Sequence, residues 1–503
     1  MNYPRLLACA LCVVSVARAD VKLAPLFQDH AVLQRDQPVP VWGQAEAGEH
    51  VTVAFKGQQF GTTASADGRW IVYLDALETS AQPADLVVTG KNTVTITDIL
   101  VGEVWLASGQ SNMEWPLSQS KDAAKEIAEA NFPLLRQIKI DRTVASKPMA
   151  EVKSSGWQPV TPETASNHSA VGYFFARELH RKLGVPIGLI ESTWGGTAVE
   201  AWMSDATLRA TASFPAVDAR WQKDLAEFPD RQAKYPGERE AFLKADEIAK
   251  ATKTKNPLKY PPPPIGPGTP YEISGLFNGM IAPLQPYALR GMIWYQGEGN
   301  WPRPTEYAEL FPAMIRSWRA GWGQGDFPFY FVQLANFGAF EDPTQRGWAL
   351  LREAQTQALL LRATEMATAI DIGDPKDIHP RNKQEVGRRL ALIAKVQAYN
   401  IAGDFSGPMF ERVMREGAAL RVYFSHAGTG LISYDKPVQS LEIAGADQKF
   451  YPANGKIERG TLVVTAREVK EPVAVRYAWS NSPVANLYNG AGLPAPPFRS
   501  DRW

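Results

Sequence analysis

The sequence predicts an α/β protein: a mainly parallel sheet with β-rich regions at both ends. Two stretches, 101–202 and 271–400, alternate strand-like and helix-like patterns, the rhythm that builds parallel sheets. Residues 20–100 instead show short alternating runs separated by turn signals such as Lys56-Gly57 and Asp67-Gly68, the pattern of a small antiparallel sandwich. Residues 405–503 return to β-like patterns. At 503 residues the chain exceeds one ordinary domain, and 45% hydrophobic against 21% charged residues is a normal globular balance.

Residues 1–19 read as a secretory leader: Arg5 is the positive end, 6–16 the apolar run, and Ala17-Arg18-Ala19 a small-x-small cleavage site. The run is too short for a permanent membrane span. A periplasmic or secreted bacterial protein is expected, without a membrane anchor. Both cysteines, Cys9 and Cys12, fall in the leader, so the mature chain has neither disulfide nor thiolate. Leu6-Leu7-Ala8-Cys9 is a poor lipoprotein box because most of the apolar run follows it. Lys+Arg and Asp+Glu are both 53. Losing Arg5 and Arg18 leaves 51 basic groups against those 53 acidic ones, a net of −2. That argues against a nucleic-acid partner.

The first core strand is read over 104–107, with the turn Ser108-Gly109-Gln110-Ser111-Asn112 directly after it. A hydroxyl on such a bend is held rigidly and exposed, although a turn serine is commonly only a cap. A helix is expected over 170–183, ending at Gly184, then a buried strand over 186–190 and the turn Ser192-Thr193-Trp194-Gly195-Gly196-Thr197. A charged helical stretch at 221–255 and a proline run at 261–264 form an insertion, about 204–270, that either shapes a cleft or is a solvated excursion. The alternation resumes with a strand at 293–295 before Gln296-Gly297-Glu298, a helix at 307–318, a strand at 329–334, a helix at 346–363, and a strand at 366–371. The loop Gly373-Asp374-Pro375-Lys376-Asp377-Ile378-His379-Pro380 and a helix at 383–398 complete it.

Acyl transfer by serine needs a base, a group orienting the base, and donors for the oxyanion. Of six histidines, His379 alone sits in an acidic, proline-bounded loop after a core strand, with Asp374 and Asp377 nearby. The N–H of Ser111, an N–H of Gly195 or Gly196, and the amide of Gln296 are the candidate oxyanion donors. Each follows a strand, and in open parallel sheets sites collect at the strands' carboxyl ends.

These four ordered blocks, Gly109-Gln110-Ser111-Asn112, Trp194-Gly195-Gly196-Thr197, Trp294-Tyr295-Gln296-Gly297-Glu298 and Asp377-Ile378-His379-Pro380, resemble the sialate O-acetylesterase family of the SGNH-hydrolase superfamily. The resemblance implies a flavodoxin-like three-layer α/β/α domain over 101–404. Its implied activity is removal of acetyl groups from sugar hydroxyls, with no cofactor and no metal. It makes Ser111 the nucleophile, His379 the base, and Gly195 or Gly196 with Gln296 the oxyanion hole. Two departures stand out. The superfamily's acid lies three residues before the histidine, where this chain has Lys376; Asp377 is the first alternative, Asp374 the second, and a backbone carbonyl in place of an acidic partner the third. The third-block asparagine is replaced by Gln296. Acetylated sialic acid and acetylated plant-wall oligosaccharide such as xyloglucan compete as substrates. The rival readings are a non-catalytic glycan-binding protein and a glycosidase using Glu298 and Glu103. No HExxH or close histidine pair supports a metal enzyme. Nothing in the sequence specifies an oligomeric state.

Overall fold

The computed structural model describes residues 20–338, 340, 342 and 344–503; the leader expected at 1–19, with its two cysteines, lies outside them. At the centre six strands run parallel: β1 (Thr93–Gly109), β2 (Phe132–Lys139), β4 (Ile187–Thr193), β5 (Gly291–Tyr295), β6 (Phe329–Gln333) and β7 (Thr364–Thr368). A short antiparallel strand, β3 (Gln158–Val160), borders β2, giving the order β3-β2-β4-β1-β5-β6-β7. β2 escaped the sequence reading because a strand of mixed polarity, Phe-Pro-Leu-Leu-Arg-Gln-Ile-Lys, lacks a clean period.

The register of β1 places the site. Gly109 pairs with Thr193 on one side and with Tyr295 on the other. Three strands therefore end in one row, and the turns beginning at Gln110, Trp194 and Gln296 leave the sheet side by side. From β1 the chain first builds one side of the sheet, with β2 outside and β4 returning beside β1, then the other side through β5 to β7, so β1 marks the reversal in strand order, where open α/β sheets form their crevices. Gly109 is required there. Its φ is +136°, and a Cβ would stand 2.2 Å from the carbonyl oxygen of Tyr295.

Helices cover both faces. Trp105 points to one and packs edge-on against Phe175 of α2 (Ala170–Leu183), which runs beside α6 (Lys383–Gln397). Trp294, of opposite parity in the register, packs on Phe311 and Trp318 of α4 (Pro304–Trp322). α5 (Gly347–Thr356) lies against α4. α2 has the bounds the sequence predicts. Ser169 accepts a hydrogen bond from the N–H of Gly172 at its start, and Gly184 closes it at φ +68°.

The boundary expected at 100/101 divides a single strand. β1 is 17 residues long. Its first half pairs with Ser80–Thr89 among the antiparallel N-terminal strands, residues 100–102 pair with Val32–Gln34, and its second half is the centre of the parallel sheet. The N-terminal region and the parallel sheet consequently share one continuous hydrophobic core. The C-terminal strands have a second core, around Leu420, Ile443, Val464, Val475 and Phe498. Arg352 of α5, fully buried, ties that region down by donating to the carbonyls of Ser480 and Asn481 at 3.0 and 3.1 Å. The insertion contains one long helix, α3 (Phe214–Thr252), with Pro229 and Pro236 inside it and only Val217 and Ala249 buried.

Candidate active site

Ser111 opens a four-residue helix, α1 (Ser111–Glu114), immediately after the tight turn at Gly109 and Gln110. Gln110 is buried, and its side-chain oxygen accepts the N–H groups of Gly297 at 3.3 Å and Gly299 at 3.1 Å, which locks the turn after β5 against the turn after β1. The loop after β7 reaches over from the far side. The side-chain amide of Asn112 donates to the carbonyl of Ile378 at 2.9 Å, holding that loop beside α1. Ser111 and His379, 268 positions apart, therefore meet: Oγ and Nε2 stand 2.9 Å apart. The Trp115 ring stacks on the imidazole, centroids 4.7 Å apart and planes 18° from parallel.

Asp377 meets His379 differently from expectation. Its Oδ1 accepts the main-chain N–H of His379 at 2.9 Å, and Nδ1 of the ring forms no hydrogen bond with a described residue. The carboxylate shapes the loop and acts on the ring through its charge. Asp374 accepts the N–H of Lys376 within its own turn, at 2.8 Å. Burial of the imidazole and the nearby Lys383 hold His379 below the usual histidine value, and Asp377 opposes them. Both main effects keep the ring neutral, the state in which Nε2 accepts a proton.

The oxyanion set needs correction at two places. The amide nitrogen of Gln296 donates one hydrogen to Thr197 O at 3.1 Å and the other to Asn300 Oδ1 at 2.8 Å, while its oxygen lies 3.0 Å from the Tyr307 hydroxyl that donates to it. Flipping the amide would set its oxygen against the carbonyl of Thr197. Gln296 is completely buried and has no donor left, so it builds the turn and does not face substrate. Gly195 lies beside Ser111; a Cβ there would stand 3.1 Å from that of Ser111. Its N–H, however, donates to Glu114 Oε2 at 2.9 Å, and the other oxygen of Glu114 accepts from Arg142. The N–H groups of Ser111 and Gly196 meet no acceptor among the described residues. A cleft of about 460 Å³ opens here, bounded by Ser111, Glu114, Trp115, Lys139, Arg142 and His379.

Behind Ser111 lies a buried polar network the sequence reading missed. Lys383, fully buried at the first position of α6, donates to Asn112 Oδ1, and Asn112 donates to Glu298 Oε1 at 2.5 Å. Burial lowers the Lys383 ammonium to about 7 against the pull of Glu298 and Asp377. Burial likewise raises Glu298, opposed by the Asn112 hydrogen bond and Lys383. Asn112 stands in a quoted block, which was the available signal; nothing in the sequence marks Lys383 as buried.

A hydroxyl paired with a neutral imidazole beside free main-chain donors suits acyl transfer, and the comparisons with known proteins agree. The family model "Carbohydrate esterase, sialic acid-specific acetylesterase" matches residues 101–224 and 273–395, passing over most of the insertion. The sialate O-acetylesterase of Rattus norvegicus is 30% identical over 538 residues, covering 95% of this chain and 94% of its own. That of Homo sapiens is 28% identical over 536 residues, covering 95% and 92%. Among solved structures, the carbohydrate acetylesterase XAC1771 from Xanthomonas citri is 40% identical, with a TM-score of 0.81, covering 96% of this chain and 100% of that one. The protein is thus a carboxylic ester hydrolase of the carbohydrate-esterase class. Within that class the chain belongs to the sialate O-acetylesterase family. Neither an inert binding protein nor a glycosidase using Glu298 and Glu103 fits; Glu103 is fully buried and bonded to Arg35 and Arg290 at 2.6 and 2.7 Å.

Proposed function

We propose that the protein removes O-acetyl groups from carbohydrates through an acetyl-enzyme on Ser111. Carbohydrate deacetylation follows from the family; the residue roles rest on the 2.9 Å contact of Ser111 Oγ with His379 Nε2 at the row of strand ends. Ser111 Oγ attacks the acetyl carbonyl carbon while His379 Nε2 takes its proton. The carbonyl oxygen becomes an oxyanion facing the N–H groups of Ser111 and Gly196. The bond to the sugar oxygen then breaks, and His379 returns the proton to it, releasing the alcohol. Water attacks the acetyl-serine with His379 again as base, and acetate leaves. Trp115 fixes the imidazole plane, and Asp377 stabilises the imidazolium by its charge.

Dropping the border strand β2, the parallel strands follow the order 2-1-3-4-5 of a flavodoxin-like sheet. That order, with helices on both faces, supports a three-layer α/β/α SGNH-hydrolase domain. The leader supports export to the periplasm or medium. Acetylated sialic acid and acetylated plant-wall oligosaccharides remain the two substrate classes. The test is acetate release from acetylated sialic acid, xylan and xyloglucan oligosaccharides by the wild type and by Ser111→Ala. Loss of release on every substrate supports the reading, and full retention ends it.

A further inference from the structure

On the other side of the Gly195-Gly196 turn from the cleft at Ser111, the insertion encloses a second cavity of about 410 Å³. Gly196 lines it from the sheet rim; Trp221 and Asp224 line it from α3, and Tyr271 from the chain returning after the proline run. The Tyr271 hydroxyl would stand 3.5 Å from a Cβ at Gly196, so the cavity begins at the turn that borders the nucleophile. We infer that this cavity is a subsite for a neutral pyranose of the acetylated saccharide, built by the insertion. The inference rests on the esterase reading and adds to it the class of sugar.

Two features of the wall carry it. The first is a supply of unused sugar-binding groups. Trp221 and Tyr271 line it with aromatic rings, the usual platforms for the C–H face of a pyranose. The Tyr271 hydroxyl and the Asp224 carboxylate, both in the wall, form no hydrogen bond with a described residue. A ring bearing several hydroxyls satisfies an acceptor and a donor of this kind.

The second is charge. Both guanidinium groups in the wall are already committed. Arg220 makes two bonds to Glu306, at 2.8 and 2.6 Å, and both Arg220 and Arg303 lie 3.5 Å from Glu200. The unpaired charge left is the Asp224 carboxylate. Burial raises its pKa and Glu227 adds to this, while Lys223, Arg220 and Arg303 oppose. An anionic sugar would face a carboxylate with no free cation to meet it, whereas the hydroxyls of a neutral sugar would donate to it.

The experiment measures kcat/KM for the full-length enzyme on an acetylated cello-oligosaccharide, on O-acetylated sialic acid, and on 4-nitrophenyl acetate, which has no glycosyl part. Trp221→Ala should lower the ratio of oligosaccharide to 4-nitrophenyl acetate activity by about tenfold, mainly through KM. Tyr271→Phe and Asp224→Asn should each lower it by about threefold. Tyr271→Phe removes one oxygen atom and carries the test should Trp221→Ala misfold. An unchanged ratio in all three variants overturns the inference. So does a wild type that prefers acetylated sialic acid, or a gain on that substrate in Asp224→Asn. Acetate release retained by Ser111→Ala breaks the esterase reading itself, a distinct result.

Discussion

The two sides of the Gly195-Gly196 turn are built on different plans. Toward Ser111, nearly every polar group is committed: Gln110 to the Gly297 and Gly299 amides, Asn112 to Ile378, Glu298 and Lys383, and Gly195 to Glu114. Toward the insertion, Tyr271 and Asp224 have no such partners, and α3 buries only Val217 and Ala249. The proposed nucleophile and base must hold one geometry within a fraction of an ångström, so their supports are over-determined. A surface that receives a ligand keeps its hydrogen-bonding capacity open. The difference shows where substitutions should affect turnover and where they should affect choice of substrate.

The comparison breaks most severely at Ser111. Ser111→Ala should reduce kcat by about 10⁴-fold or more while leaving Tm nearly unchanged, checked by acetate assay beside thermal unfolding. Gln296→Met separates a structural amide from an oxyanion donor. It strands the buried Thr197 carbonyl and takes one of the two donors from Asn300 Oδ1, which keeps the N–H of Val199, so a stability loss of about 1–3 kcal/mol is expected in denaturant unfolding. A lowered kcat at unchanged stability would restore Gln296 to the oxyanion hole.

Lys383→Met tests the network behind the nucleophile. It removes the donor to Asn112 and a positive charge near His379. kcat should fall by about tenfold, and the acid limb of the kcat/KM profile should move to higher pH, because the lysine's charge lowers His379. Asp377→Asn should move the limb the other way. Losing a carboxylate that raises His379 lowers its pKa, so activity persists to lower pH, with kcat reduced by a few-fold. If neither variant displaces the limb, charge is not how the network acts on the ring. The smallest effect belongs to the outer face of the insertion. Lys244→Ala, at a side chain 71% exposed, should leave Tm and kcat/KM within error and so sharpen the contrast with Trp221.

Much of the fold was legible because its signals are local. Ser169 and Gly184 bracket α2 in the sequence as in the structure. The helix predicted at 383–398 is Lys383–Gln397, and the one predicted at 221–255 is Phe214–Thr252, begun earlier. The last of the short runs expected within 20–100 and the strand read over 104–107 proved to be one strand. Asp98, at φ +55°, sits where the pairing with Ser80–Thr89 shifts register and reads as a break, but the strand continues past it because residues 100–102 pair with Val32–Gln34.

The sequence by itself determined the alternation of strand and helix, the turns that follow three strands, and the identities of Ser111 and His379 as groups fit for acyl transfer, since propensity, periodicity and side-chain chemistry belong to a residue and its near neighbours. Only the tertiary structure decided how those groups are used. Register put three strand ends in one row, the amide of Gln296 was spent on Thr197 and Asn300, Asp377 turned to a main-chain N–H, and Lys383 was sealed behind Asn112. The reason is that hydrogen-bond partners and burial depend on what distant segments bring to the same place, and a donor already satisfied looks no different in the sequence from one left free.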